Sequence, residues 1–356
     1  MTARDVAAAL HDAERAGRRL RVRGAGTRPW GRPSPADGEL STVQLDAIVE
    51  HNEGDLTTVV QAGVPVERAQ EAFAAAGQML ALDPPGGGTI GGLVATGDSG
   101  PLRHRYHTVR DLVLGVQVAL PDGTVARAGS KVIKNVAGYD LAKLLSGSFG
   151  TLGVITEISL RLHPRPPATA TAVQRFDDPH ALASAASALA HRPLEAEALD
   201  VAWEDGEGSL LARFAGGAAA ERARDALPEC EVVEDDEPLW ERQRAGQRSS
   251  GGTVVRVSTT QRALGAALAV APRAVGRAAL GLVWITLPDG DPGAVRELRE
   301  RLAPAPCVVL DAPDSVRGAL DPWGEVGGGE LELMRRVKAR FDPFGTCNPG
   351  VFVGGI

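Results

Sequence analysis

The chain has 356 residues, 44% of them hydrophobic and 23% charged, a length that suits two domains better than one small core. Its net charge of −7 argues against a nucleic-acid binder, whose affinity rests on Lys and Arg neutralising phosphate. No apolar run approaches the roughly 18 residues that cross a bilayer. The N-terminal stretch carries Asp5, Asp12 and Glu14 and no apolar core segment, so it reads as an ordinary first helix and not as a signal peptide.

In chain order, Thr2 caps that helix with Asp5 three positions on, and Gly17 ends it. RLRVR (19–23) reads as a strand that runs into the turn Gly24-Ala25-Gly26-Thr27 and a proline-rich loop. Residues 39–45 and 56–63 read as further strands. Pro65 opens a helix that Gly77 closes, and QMLALDP follows as a strand. Strand and helix alternate here as in an α/β domain. Glycines then crowd the chain: Gly86, Gly87, Gly88, Gly91, Gly92, Gly97 and Gly100, and later Gly147, Gly150 and Gly153. Between these groups, residues 112–129 predict a hairpin turning at Asp122-Gly123. Residues 151–164 predict a strand, and PRPP (164–167) marks a boundary.

From Ala168 to about Asp311 the order strand–helix–strand–strand–helix–strand occurs twice, which predicts a mainly antiparallel sheet with helices on one face. The last segment predicts a helix ending near Phe341, then turns at Asp342-Pro343 and Asn348-Pro349-Gly350. A tail so rich in turns and aromatics is expected to pack back on the first domain.

Cys230, Cys307 and Cys347 are far apart and form no C-x-x-C, which argues against a disulfide framework or an iron–sulfur cluster held by this chain alone. No H-x-H or H-E-x-x-H occurs, so no metal site is expected.

Dense glycine needs a reason, because glycine loses the most conformational entropy on folding. Gly24-Ala25-Gly26-Thr27 is followed by Pro29 and Pro33, so it opens no helix and is not a nicotinamide fingerprint. It reads as a turn whose N–H groups face an anion. The segments 89–100 and 147–153 read as two further loops that let a flat ring or a diphosphate lie against backbone. Together the three predict a bound dinucleotide.

These residues resemble a known family. RGAGT, PPGGGTIGGLVATGDSG, RYHTVRDLVLGVQVALPDG, KNVAGYDLAKLLSGSFGTLGVITEISLRLHPRP and KARFDPFGTCNPG look like the FAD-linked oxidases of the vanillyl-alcohol oxidase type, with a PCMH-type FAD-binding domain. Within that group they are most similar to the FAD-binding subunits of bacterial glycolate oxidases. The resemblance covers residues 1–165 and 331–356, and the middle only in outline. It implies an α+β fold: two α/β subdomains clasping FAD over residues 1–167, a cap domain over 168–330, and a C-terminal segment, 331–356, returning to the FAD domain. It also implies a flavin that takes a hydride from a 2-hydroxy acid or relays those electrons.

Carried over by position, Gly24, Ala25, Gly26 and Thr27 hold the diphosphate. Pro85, Thr89, Gly91, Gly92, Thr96, Ser99 and Gly100 line the diphosphate and the isoalloxazine. Gly147, Thr151, Gly153 and Ile155 close over the adenine side. Asn135 and Tyr139, with Asp140, sit in the signature loop, and Asn348 approaches from the C-terminus. Three departures matter. Thr27 and Arg28 stand where covalently flavinylated relatives have a histidine, which implies noncovalent FAD. Gly324-Glu325-Val326-Gly327-Gly328-Gly329 replaces the G-E-H-G-I-G segment of self-sufficient 2-hydroxy-acid dehydrogenases, and no histidine follows His191. Phe149 stands where those relatives often have Glu.

The expectation is therefore an FAD-dependent oxidoreductase or a subunit of one. Its partners are expected to be a catalytic flavin subunit and an iron–sulfur subunit, with a small 2-hydroxy acid as the ligand. A cytoplasmic location is expected, with peripheral membrane attachment through partners. The competing readings are a stand-alone FAD-dependent dehydrogenase of another hydroxy acid or alcohol, and a structural subunit without cofactor. A carboxylate substrate wants an arginine fork. Arg103 and Arg105 lie near the flavin-side loop in sequence, and Tyr106 and His107 could shuttle a proton; the alternative is that these residues are solvated or pair with acidic neighbours. Lys131 and Lys134 could neutralise diphosphate charge or simply face water.

Overall fold

The structure, a computed structural model, describes residues 1–130, 140–288 and 290–356. Asn135 and Tyr139, with Lys131 and Lys134, lie outside the described residues.

Helix α1 (Ala3–Arg15) starts with the predicted capping box, in which Thr2 Oγ1 accepts from the Asp5 amide and Asp5 accepts from the Thr2 amide. Its apolar face buries Val6, Ala7, Leu10 and Ala13. Strands β1 (Leu20–Arg23) and β2 (Gly38–Ser41) pair in parallel. Strands β3 (Ile48–Asn52) and β4 (Thr57–Gln61) form a hairpin, followed by helix α2 (Val66–Ala74). Strand β3 escapes sequence reading because Glu50 and His51 interrupt its apolar pattern. It is an edge strand with a bulge between Ile48 and Glu50.

The strand expected from Gln78 to Pro84 is only β5 (Gln78–Met79). Beyond it the Gln70 side chain acts as the partner strand: its amide donates to the Leu80 and Leu82 carbonyls and its oxygen accepts from the Leu80 amide. The glycine-dense stretch also differs from expectation. It contains helix α3 (Ile90–Thr96), capped by Thr89 and closed by Gly97 in the left-handed conformation. Short helices α4 (Arg103–Tyr106) and α5 (Val109–Leu112) follow.

Strands β6 (Val113–Ala119) and β7 (Val125–Gly129) form the predicted hairpin, and after helix α6 (Leu141–Leu145) comes strand β8 (Val154–Arg161). These strands make a five-stranded antiparallel sheet in the order β3-β4-β8-β6-β7. Strand β9 (His163–Pro164) pairs with β5.

The rest builds one antiparallel sheet from β10 (Thr169–Phe176), β11 (Ala198–Glu204), β12 (Glu207–Ala215), β13 (Glu231–Val233), β14 (Thr253–Ser258), β15 (Arg273–Arg277), β16 (Leu282–Leu287) and β17 (Cys307–Val309). Its order is β13-β10-β12-β11-β15-β16-β14-β17. Helices α7 (Pro179–Ala190) and α8 (Ala219–Ala226) belong to the first strand–helix unit. Helix α9 (Glu237–Ala245) joins the units, and α10 (Leu264–Ala269) and α11 (Pro292–Leu302) belong to the second.

Alternation along each strand sorts the two faces. Leu182, Ala223, Leu268 and Leu298 pack with Val255, Val257, Val283 and Ile285 on the helical face. Helix α9, which the sequence did not reveal, lies on the other face, where Trp240 meets Val173, Ala198 and Leu211. The remainder of that face carries Val254, Val275 and Trp284, and it packs against Trp30 from the first glycine loop.

After α12 (Asp314–Ala319), helix α13 (Gly328–Phe341) leads into the tail. Cys347 pairs in parallel with Leu20 and sits in the cluster under α1.

Candidate functional site

A cavity of 570 Å³ opens at the C-terminal end of β1, a size typical of ligand and cofactor sites. Gly24, Ala25, Gly26 and Thr27 line it, as do Thr89, Gly91, Gly92 and Thr96 at the start and end of α3. Gly153, Ile155 and Asn348 complete the set of expected residues that line it.

Close packing explains the glycines at the two critical contacts. A Cβ on Gly24 lies 2.2 Å from Thr89 Oγ1, and one on Gly91 lies 2.6 Å from the Ala62 Cβ. The first contact brings the β1 turn against the cap of α3. The second lets the Gly91 amide donate to the Ala62 carbonyl at 2.8 Å.

Arg28 ties the loops together. Its guanidinium donates to Asp98 Oδ2 (2.7 Å), Thr27 Oγ1 (2.9 Å), the Gly87 carbonyl (2.7 Å) and the Pro85 carbonyl (3.0 Å). The Arg28 and Asp98 side chains are 4% and 6% exposed.

Asn348, at φ +42°, joins tail to cavity. Its Oδ1 accepts from the Val22 amide at 2.7 Å, and its Nδ2 donates to the Phe149 and Val22 carbonyls at 2.7 and 3.2 Å. Asn348→Ala should lower unfolding free energy by about 2–3 kcal/mol, since each lost hydrogen bond is worth about 1 kcal/mol. Asn348→Gly, which relaxes the backbone but also lacks the amide, should lose nearly as much; urea titrations of both check this.

Pro85, Ser99, Gly100, Gly147 and Thr151 lie outside the cavity lining. The Pro85 carbonyl is taken by Arg28, and the Ser99 carbonyl by Gln247 Nε2 at 3.1 Å. Gly100 packs on the Asp83 backbone. The Gly147 amide donates to the Val94 carbonyl, and the Thr151 carbonyl accepts from Lys338 Nζ at 2.6 Å. These residues hold the loops that others use.

The chemistry of the lining fits an anionic dinucleotide. Its charged residues are Arg21, Arg23, Arg28, Arg32 and Arg317 against Asp314 alone, and its backbone is bared at the glycines. Residues 1–129 match the FAD binding domain family, and residues 324–352 match the C-terminal domain of FAD linked oxidases. The chain carries the FAD-binding and C-terminal domains found in FAD-linked oxidases, and is a flavoprotein.

The flavoprotein is 35% identical over 237 residues to glycolate oxidase subunit GlcE of Escherichia coli, a match covering 63% of this chain and 64% of that protein. A yeast mitochondrial D-lactate dehydrogenase [cytochrome] (Saccharomyces cerevisiae) matches at 34% identity over 46% of this chain and 29% of its own length. An FAD-linked oxidoreductase of Mycobacterium tuberculosis is 27% identical over 99% of this chain and 89% of that one. The chain thus spans less than two thirds of the first two relatives. Among solved structures, an alkyldihydroxyacetonephosphate synthase superposes with a TM-score of 0.71 at 16% identity, covering 97% of this chain and 75% of that one, which shows a shared fold. The flavoprotein accordingly shares its FAD-binding domain with FAD-linked oxidoreductases. No helix among its described residues is long and apolar enough to cross a membrane.

The four residues expected to touch substrate divide. In the flavoprotein, Tyr106 donates to Glu197 Oε1 at 3.1 Å and Arg105 to the Glu195 carbonyl at 3.4 Å, so both brace the seam with the larger sheet. His107 is exposed. Arg103 alone turns toward the 98–100 loop, reaching Ser99 Oγ at 3.5 Å.

Asp83 begins the glycine stretch of the flavoprotein, and sequence reading passed over it. Its Oδ1 accepts from the Leu102 amide, while its buried Oδ2 has no hydrogen-bond partner. Burial pushes this carboxyl from 3.8 up to about 7, against the pull of Arg277 and Arg244. Between about pH 4 and 7 the folded state holds a proton that the unfolded chain has released, so this group makes stability fall as pH rises through that window. Asp83→Asn removes the loss. Its stability relative to wild type should climb by on the order of 1 kcal/mol per pH unit across the window. Urea unfolding of both proteins at several pH values measures the slope.

Proposed function

We propose that this flavoprotein is the FAD-binding subunit of a glycolate oxidase-like complex, holding FAD without a covalent bond and passing electrons between partners. In this reading residues 1–167 with the tail 331–356 form the FAD-binding domain, and 168–330 form the cap. The observation that carries it is the meeting of the 24–27, 89–96 and 149–155 segments around one cavity, in a chain similar to GlcE.

Bound FAD supplies a two-electron acceptor. The chain's own residues bind and orient it. Arg21, Arg32 and Arg317 would offset diphosphate charge, and the amides of the Gly24–Thr27 turn would donate to it. The segment that follows the larger sheet borders the site through Ala312, Asp314 and Arg317. Trp30 Nε1 donates to Asp311 Oδ1 at 3.1 Å, and Arg248 spans Asp311 and the Thr27 carbonyl, so the first glycine loop is held against the larger sheet. Noncovalent attachment is favoured by the occupants of the flavinylation position: Thr27 carries no imidazole, and the Arg28 guanidinium is engaged on every side.

The partners in this reading are a catalytic flavin subunit and an iron–sulfur subunit, with the complex in the cytoplasm or peripheral at the membrane. Support comes from the segment 324–329, which lacks the histidine of self-sufficient relatives. The test is purification alone and with partners. The chain alone should be yellow and release all its flavin on acid precipitation, and glycolate should bleach it only when partner subunits are present. Oxidation of glycolate by the isolated chain would overturn the relay role. A preparation that stays colourless after incubation with FAD would overturn the reading altogether.

A further inference from the structure

Phe149 holds a backbone conformation that bulky residues avoid. Its φ is +55°, in the left-handed region that glycine fills nearby at Gly147 and Gly150. For an aromatic residue this is a genuine outlier and costs energy. Both of its backbone groups are tied down. The amide donates to the Ala95 carbonyl at 2.8 Å, and the carbonyl accepts from Asn348 Nδ2 at 2.7 Å. The end of α3 and the tail together fix where the side chain leaves the backbone.

The ring is held as firmly. It stacks on Phe352 of the tail, with centroids 5.4 Å apart and planes inclined at 28°, and it meets Trp323 edge-on at 4.9 Å. Trp323 meets Phe352 in turn at 5.0 Å, which closes a triangle of rings. Trp323 Nε1 donates to the Val351 carbonyl at 3.0 Å, so the triangle is anchored to the tail backbone. Phe149 itself is only half-buried, and with Gly150 it borders the cofactor cavity. Phe352 takes one face of its ring. A rigid aromatic face beside a cavity suits a flat ligand ring, because stacking adds contact area and little side-chain freedom is lost on binding.

A flavin dinucleotide brings two flat systems. The isoalloxazine must be approached by whatever gives or takes its electrons. A ring laid on Phe149 has Phe352, Trp323 and the tail behind it, which leaves reactants no approach from that side. Adenine takes part in no electron transfer and can be covered there. The resemblance noted above assigns this position no ring contact, since relatives often have Glu in it.

We propose that Phe149 is the platform on which the adenine of the cofactor stacks, with Phe352 and Trp323 as its backing. The assignment rests on the functional reading above for FAD as the ligand. It adds a residue of this chain that sets affinity for the adenine half.

Apoprotein is titrated with FAD by flavin fluorescence. It is titrated by calorimetry with ADP, which keeps the adenine and the diphosphate and lacks the flavin. Phe149→Leu, Phe149→Met and Phe149→Tyr share the cost of the left-handed conformation, so that cost cancels among them. Phe149→Leu and Phe149→Met should bind FAD roughly tenfold or more weakly than wild type, as loss of base–aromatic stacking does elsewhere, and ADP should weaken by the same factor. Phe149→Tyr, which keeps the ring, should hold both affinities close to wild type. Melting temperatures of the apoproteins are recorded, and Phe149→Met stands in where Phe149→Leu fails to fold. Wild-type FAD affinity in the aliphatic variants overturns the platform. So does a loss that Phe149→Tyr shares, or one that tracks the melting temperature, since either marks a packing role. Weakened FAD with undiminished ADP, or a wild-type chain that binds FAD and ignores ADP, overturns the assignment to adenine and leaves the FAD reading intact. A chain that takes up no FAD yet binds ADP through Phe149 sinks the functional reading and leaves the platform.

Discussion

Gly24→Ala is expected to cut FAD affinity by roughly two orders of magnitude. The new methyl carbon arrives 2.2 Å from Thr89 Oγ1, closer than any real contact of a methyl carbon. Thr89 must therefore move. Its hydroxyl accepts from the Gly92 amide at 3.2 Å, so moving it gives up the cap of α3 and displaces Gly91 and Gly92 from the cavity wall. Overpacking costs about 1–3 kcal/mol, and a lost cap adds about 1 kcal/mol. A total of about 2–4 kcal/mol corresponds to one and a half to three decades in affinity. Adding Thr89→Ala to Gly24→Ala removes the clashing oxygen and leaves the Thr89 Cβ position at 3.3 Å. The double variant should bind FAD more tightly than the sum of the single effects implies. Fluorescence titration of apoprotein with FAD measures all four proteins; wild-type affinity in Gly24→Ala would remove steric contact as the reason for glycine there.

Arg28→Met is expected to destabilise the fold by about 3–5 kcal/mol, the usual cost of stranding one member of a buried ion pair. Asp98 keeps one partner, the Ser99 amide on Oδ1, but loses the charge that balances it. The Gly87 and Pro85 carbonyls and the Thr27 hydroxyl lose their donor as well. Arg28→Lys should rescue little, since a single ammonium cannot reach four acceptors that a planar fork meets at once. Pairing Arg28→Met with Asp98→Asn should recover part of the loss. Urea unfolding followed by circular dichroism tests this. A shift below 1 kcal/mol for Arg28→Met would mean that the loops are organised by their glycines alone.

Much of this architecture was readable from local chemistry. The Thr2 capping box, the Asp122-Gly123 hairpin and the doubled strand–helix order of residues 168–311 all rest on short-range signals, and each is present. What stayed hidden depended on partners distant in sequence. Gln70 ends β5 with a side chain, a substitution for pairing that no periodicity reveals. Helix α3 hides in a glycine run because its apolar residues, Ile90, Leu93 and Val94, outweigh poor helix propensity once they are buried. The cavity lining was legible wherever glycine marked a close approach. The organising residues were not. Arg28 stood in the correct loop, and only the meeting of elements far apart in sequence shows that it is saturated with acceptors.

The joining of Leu20 to Cys347, and of Val22 to Asn348, has a bearing on how the molecule is made. Synthesis delivers the first strand more than three hundred residues before the segment that completes its far edge. A nascent polypeptide therefore cannot load its coenzyme while still on the ribosome at mid-length. Capture in the proposed site is expected only once residues 347 and 348 have joined that strand, and a stop codon upstream of position 348 should produce unloaded protein.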